Sequence, residues 1–326
     1  MARARIDRSH PINVLAEIER LSEVDRQVLR LVAEHEVMST EQLAALCFPW
    51  PERVADAGRR LRYLATRALL VRFPYPGTHP AGLPAEANDA GPGGLPVPVA
   101  PRWNEGQRWA WSLGQGGAYW AGVERVLSQD RWIEAWSRFV PHERPHLRRR
   151  LALNDFFAAL HHSARDRDTA RLDQWWGPAR CADTSGGKTL PDAHGRWRYA
   201  AETVPFWVYC DSVRHPFRGL ITTVERHQAV HWRTERDITV LVMVNDNRER
   251  HLHRRWTDLA AATGVPMPPV ATTSYRKLRT WPTGAIWWPL AHPDGSGVAL
   301  HHLAVGARQS NPRFRGSGLL SDGAGS

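Results

Sequence analysis

The chain of 326 residues reads as an α+β protein in two parts. Three observations predict this. Before residue 67, apolar residues recur three times at helical spacing. Two strand-like runs, Leu69–Phe73 and Arg108–Leu113, then bracket a stretch dense in Pro, Gly and Ala. In the second half, strand-like runs alternate with helical ones, as in a layered α/β domain. One of those runs, DITVLVMV at residues 237–244, is continuously apolar, as expected of a strand buried on both faces.

The first part is built as follows. Residues 1–20 form a basic arm that runs into helix from about Asn13. Ser22 is an N-cap with Asp25 at the third helical position, and Leu21, Val24, Val28, Leu31 and Val32 form one apolar stripe ending near His35. After a short extended link at Val37 and Met38, Ser39 or Thr40 caps a second helix over 41–48, stopped by Pro49 and Pro51. A third helix spans about 52–66. Its inward stripe is Val54, Ala57, Leu61 and Leu64, and its opposite face carries Asp56, Arg59, Tyr63 and Thr66, with Arg60 and Arg62 on either side. Three helices, a strand, a loop and a returning strand give the order of a winged helix-turn-helix domain over 21–125. Its wing carries a long insertion at 74–106, and a helix over about 117–127 closes the domain.

Residues 126–167 are expected to be a helical connector, with a long helix from about Pro145 to Arg165. A three-layer α/β domain follows over 168–290. Its strands are expected near 172–176, 196–199, 205–211, 238–244, 265–271 and 285–290, and its helices near 221–231 and 248–263. Residues 291–326 read as a largely flexible tail.

Composition limits the function classes. The net charge is +10 and the isoelectric point near 10.3, a balance that favours polyanionic partners, nucleic acid first. No apolar run reaches the length of a membrane-spanning helix, and the basic N-terminus lacks a signal-peptide core, so a cytoplasmic, nucleoid- or plasmid-associated location is expected. The three cysteines, Cys47, Cys181 and Cys210, are too scattered for a disulfide framework or a zinc site and read as inert thiols. Most of the 16 tryptophans read as core.

The third helix carries the strongest functional signal. In a helix-turn-helix the second helix of the motif enters the major groove. Arg59 points outward and is placed to bond guanine or phosphate. Arg53, Arg60, Arg62 and Arg67 are placed to reach the flanking backbone, with Tyr63 and Thr66 on the same face. A second signal is the run Arg148–Arg149–Arg150, whose members cannot all face one partner. A third is acidic: Asp192 opens one strand-like stretch and Asp211 closes another, a pair that in adjacent strands could hold Mg²⁺ for phosphodiester cleavage. No further carboxylate or lysine is in register. His251 and His253, His161 and His162, and His301 and His302 read as surface histidines, so no metal site and no cofactor is expected. Phosphate-loop, dinucleotide and nucleophile-elbow motifs are missing.

The order LSEVDRQVLRLVAEHEVMSTEQLAALCFP (21–49), ALLVRF (68–73), WSLGQGGAYW (111–120), HLRRRLALNDFF (146–157), LPD (190–192) and PFWVYCD (205–211) resembles the replication-relaxation family of plasmids and mobile elements. The N-terminal half is expected to be the better match. The resemblance implies DNA binding tied to plasmid replication or topology. It also implies a restriction-endonuclease-like second domain, whose strand ends Glu-x-Asp before Arg-Gly-Thr. Here Tyr209 stands at the glutamate position and the Arg-Gly-Thr is missing, so the domain reads as degenerate. The expectation is a sequence-directed binder of double-stranded DNA, a homodimer without a membrane partner, and not an enzyme. The alternatives are a metal-dependent nuclease with Asp192 and Asp211 as ligands, and an inactive protein-interaction scaffold.

Overall fold

The computed structural model describes residues 14–48, 53–75, 108–126, 144–165, 167–211, 219–224, 226, 239–244, 246–263, 269–278, 281–292 and 295–303. The chain divides into two compact units, residues 1–79 with 105–147 and residues 80–104 with 148–326. The α+β class holds: one unit carries a three-stranded sheet and the other a six-stranded mixed sheet. Among the described residues, no helix is long and apolar enough to cross a membrane.

The first unit opens with α1 (Val14–Glu19) and α2 (Glu23–His35). α2 starts where the sequence says it should. The Ser22 hydroxyl accepts from the Asp25 amide at 3.2 Å, and the Asp25 carboxylate accepts from the Ser22 amide at 2.9 Å, so two orphan donors of the helix end are satisfied reciprocally. β1 (Met38–Ser39) leads into α3 (Thr40–Cys47), which Ser39 and Gln42 cap in the same way. α4 (Val54–Thr66) buries Ala57, Leu61 and Leu64 of the predicted stripe and Gly58 beside them, while Val54 is only partly buried. β2 (Leu70–Tyr75) and β3 (Arg108–Leu113) pair antiparallel, with Tyr75 opposite Arg108, and β1 adds to the far side of β3. The wing insertion expected at 74–106 falls almost wholly outside the described residues.

Helix α5 (Gln115–Val123) closes this unit through unusually close backbone contact. The Gly114 and Gly116 amides donate to Leu69 O and Ala68 O, both at 2.9 Å. A Cβ at Gly117 would lie 2.1 Å from Leu69 O, and one at Gly114 would lie 2.3 Å from Ala68 O. The glycines of WSLGQGGAYW are therefore there for close approach.

Helix α6 (Arg144–Arg165) lies in the second unit from Arg148 onward, and β4 (Ala170–Trp176), α7 (Pro178–Thr184), β5 (Ala193–Tyr199) and β6 (Glu202–Cys210) follow. Helical residues 219–224 precede β7 (Thr239–Val244). There follow α8 (Asp246–Thr263), β8 (Val270–Ser274), α9 (Tyr275–Leu278) and β9 (Trp288–Pro289). Sheet order is β4-β5-β6-β7-β8-β9, with β6, β7 and β8 parallel and the other pairings antiparallel. Period-two alternation splits β7 between two cores. Leu241 and Met243 join Leu153, Phe156, Phe157 and Leu160 of α6 on one face. Val240, Val242 and Val244 join Leu252 and Trp256 of α8 and Val224 on the other. The sheet is thus covered by helix on both faces.

Several boundaries differ from those the sequence predicts. Within the connector expected over 126–167, α6 contributes Leu153, Phe156, Phe157 and Leu160 to one core of the second unit. The described part of the tail expected from 291 onward reaches that core too, through residues up to Leu303. Leu300 and Leu303 are buried, and Val298 bridges to Trp287. β8 is described from Val270, preceded by Pro269, which offers no ladder donor; the start expected at 265 lies outside the described residues. The strand expected over 285–290 shrinks to Trp288–Pro289, since turns occupy 282–286. His253, expected at the surface, is buried against β8, whereas His251 is exposed as expected. All three cysteines are buried and none forms a disulfide. Burial pushes the Cys47 thiol up to about 12, which leaves it unreactive at neutral pH.

Candidate functional site

The seven residues singled out around α4 separate into two groups. Arg60 and Arg67 are engaged. Arg60 Nε donates to Asp25 Oδ1 at 2.7 Å, and its Nη2 donates to Asp25 Oδ2. Asp25 is fully buried. Burial pushes its carboxyl up, but the hydrogen bonds from Arg60 and Ser22 outweigh that and hold it below the usual carboxylate range. Arg67 Nη1 donates to the buried carboxylate of Glu17 at 2.8 Å. The Tyr63 ring lies beside both guanidinium groups, 4.8 Å from Arg60 Cζ and 5.3 Å from Arg67 Cζ.

The other group faces solvent. Arg53, Arg59, Arg62, Tyr63 and Thr66 are exposed. Arg59 pairs with Asp56 one turn back, yet 66% of its side chain remains accessible, so that pair is screened and weak. Thr66 Oγ1 donates to Tyr63 O, a bond within the helix.

Next to this face lies a pocket of about 190 Å³ between α3, α4 and the β2–β3 hairpin. It is lined by Thr40, Glu41, Gly58, Arg62, Arg72, Arg108 and Trp109, among others. Thr40 fixes its geometry: its hydroxyl accepts from Trp111 Nε1 at 2.8 Å and donates to Trp109 O at 3.3 Å, tying the start of α3 to β3. Arg72 lies over the Trp109 ring, 4.6 Å from the centroid. Arg72 and Arg108 escape sequence reasoning because their meeting with Arg62 depends on hairpin register across residues 76–107. The one hint in the sequence is that both sit in the two strand-like runs.

In the second unit, Asp192 lies at the start of β5 against the end of β6. Its Oδ2 accepts from the Cys210 amide at 2.8 Å and its amide donates to Val208 O at 2.8 Å. The sequence therefore brings Asp192 and Asp211 to neighbouring strand ends, as expected. Each carboxylate is met by a guanidinium from a different helix. Arg149 of α6 pairs with Asp192, and Arg150 Nη1 donates to Asp192 O at 3.1 Å. Arg248 Nε of α8 lies 2.6 Å from Asp211 Oδ2. Burial works against the charge on Arg149, but the neighbouring Asp192 overrides it and holds the guanidinium protonated. α6 and α8 cover opposite faces of the sheet, so each carboxylate has its guanidinium from a different helix layer. Among the described residues, no group of three or more His, Cys, Asp or Glu could hold a metal. Tyr209, at the position where the family resemblance places glutamate, packs in the core beneath α8.

This architecture defines a two-unit α+β protein with a helical unit that carries a three-stranded sheet and a mixed-sheet unit whose strand-end carboxylates are arginine-bound. Residues 97–240, from just before β3 to the start of β7, match the model of the replication-relaxation family. The match takes in WSLGQGGAYW, HLRRRLALNDFF, LPD and PFWVYCD. It leaves out the motifs at 21–49 and 68–73, so the better match is central rather than N-terminal. No curated protein and no solved structure matches the chain.

Proposed function

We propose that the chain binds duplex DNA through its first unit and acts in replication or maintenance of a plasmid or mobile element. The observation that carries this is the solvent-facing side of α4, where Arg53, Arg59, Arg62, Tyr63 and Thr66 stand in an α2-β1-α3-α4-β2-β3 order. That order is the one a winged helix-turn-helix uses, with α4 as the groove-reading helix. The net charge of +10 supports a polyanionic partner, and the replication-relaxation match supports the process. Arg59 is the base-reading candidate. Arg53 and Arg62 are phosphate candidates, and Arg60 and Arg67 hold the helix in place. Binding as a homodimer over two half-sites follows the general habit of helix-turn-helix proteins.

For the second unit, the order α6-β4-α7-β5-β6-helix-β7, with Asp192 beside the end of β6, supports a degenerate restriction-endonuclease-like domain. The arginine pairing of both aspartates and Tyr209 in place of glutamate favour an interaction or dimerisation role over cleavage.

Fluorescence anisotropy of the full chain with a labelled duplex, titrated with salt, tests the main reading. Submicromolar binding that weakens steeply with salt is the expected result. No binding at low salt, or binding with no salt dependence, contradicts it.

A further inference from the structure

The pocket between α4 and the β2–β3 hairpin combines three features. The first is charge without internal compensation. Arg62, Arg72 and Arg108 line the pocket, and none of the three forms an ion pair among the described residues. This sets them apart from Arg59, Arg60 and Arg67, each of which has a carboxylate partner. Three cations against the single carboxylate of Glu41 leave the lining net positive.

The second feature is pre-organisation. Arg72 is steadied over Trp109, and Thr40 clamps β3 to α3, so at least one wall is built before any ligand arrives. The third is a glycine in mid-helix. A Cβ at Gly58 would meet Arg62 Nη1 at 3.6 Å and Thr40 Cγ2 at 3.7 Å, which are ordinary contacts. Alanine would fit there and would favour the helix. Glycine keeps the floor of the pocket one methyl lower beneath the Arg62 guanidinium.

We propose that this pocket is a phosphate site that takes a backbone phosphate of duplex DNA, held by Arg62 from α4 and by Arg72 and Arg108 from the hairpin. The inference rests on the DNA-binding reading of the first unit and adds to it where the duplex backbone is gripped. Guanidinium forks suit phosphate oxygens, and a concave lining presents several donors to one group. Glu41 Oε2 is buried with no hydrogen-bond partner among the described residues, so its charge opposes an incoming phosphate. The site therefore has a built-in element that weakens it.

The test uses the full chain and a labelled duplex, with anisotropy measured over roughly 50 to 200 mM salt. Four proteins are compared: wild type, Arg72→Gln/Arg108→Gln, Arg72→Lys and Glu41→Gln. The double variant is expected to bind more weakly and to lose about 1–2 in the log–log salt slope, the share of one or two phosphate contacts. Arg72→Lys keeps the charge and the wild-type slope. Glu41→Gln binds tighter, an outcome that simple damage to the fold would not produce. Should the double variant be misfolded by circular dichroism, Arg72→Lys and Glu41→Gln still decide the matter. If the wild type binds DNA while the double variant and Glu41→Gln match it in affinity and slope, the pocket proposal is overturned and DNA binding stands. If the wild type does not bind at all, both fall.

Discussion

Arg60 grips both carboxylate oxygens of Asp25, the same carboxylate that closes the capping box of α2. One buried charge thus fixes the start of α2 and the middle of α4 together. Replacing Asp25 with Asn strips Arg60 of its counter-charge and weakens the cap. We expect a loss of about 2–3 kcal/mol, discounted for the partial exposure of Arg60, read as a lower urea midpoint at unchanged slope. The pH dependence has a definite sign. The folded carboxyl titrates below its ordinary 3.8, so this stabilisation is present above pH 3.8 and fades as acid is added below it.

His253 offers a second acid-sensitive point, of opposite charge type. It is stacked on Trp288 at 3.6 Å between centroids, and its Nε2 lies 2.7 Å from Thr272 Oγ1. Thr272 in turn donates to Glu249, which Lys277 pairs at 2.7 Å. Burial and then the Lys277 charge push the imidazole down from 6.5 to about 4. The unfolded chain therefore takes up this proton first. Stability from the neutral ring is complete above pH 6.5 and falls by up to about 3 kcal/mol as pH drops toward 4. Urea unfolding at several pH values should show that slope in the wild type and a flatter one in His253→Gln.

The arginine-bound aspartates predict an outcome for metal. Thermal melting of the full chain should be insensitive to Mg²⁺, and plasmid should remain un-nicked in its presence. Asp192→Asn should change stability, by about 1–3 kcal/mol, because Arg149 loses its charged acceptor. Mg²⁺-dependent nicking that disappears in Asp192→Asn would instead establish a nuclease.

Gly117 gives the sharpest packing test. With Leu69 O 2.1 Å from where a Cβ would sit, Gly117→Ala must push α5 off the strand it rests on. A cost of about 1–3 kcal/mol or more is expected by chemical denaturation. Gly58→Ala is the counterpart on the opposite side of the ledger. Its new methyl meets only ordinary contacts, so about 0.5–1 kcal/mol of added stability is expected.

Much of the fold was legible in the sequence because local rules govern it. Ser22 and Asp25, Ser39 and Gln42, and the apolar stripe of α4 act within a few residues of one another. The apolar run at 239–244 announced a central strand for the same reason. What escaped depends on contacts far apart in the chain. Whether Arg60 faces solvent or Asp25 cannot be settled on a helical wheel, since a 100° periodicity places it at the edge and the partner lies on another helix. His253 was misjudged because i, i+2 spacing shows that it differs from His251 without showing which one is inward. The burial of Leu300 and Leu303 was masked by the glycines and polar residues on either side of them.

The hairpin register has a consequence for how this chain can be altered. Tyr75 and Arg108 are directly opposite each other, so the segment between them leaves and returns at the same point. Its ends are held by the ladder and not by its own length. The entropy of closing such a loop changes only logarithmically with residue number, by about 0.6 kcal/mol per doubling. Replacing residues 76–107 is therefore expected to change the closure entropy of the hairpin only slightly. A two-residue Asn-Gly turn or a foreign sequence of similar size could take their place while Arg72, Arg108 and Trp109 keep their mutual positions.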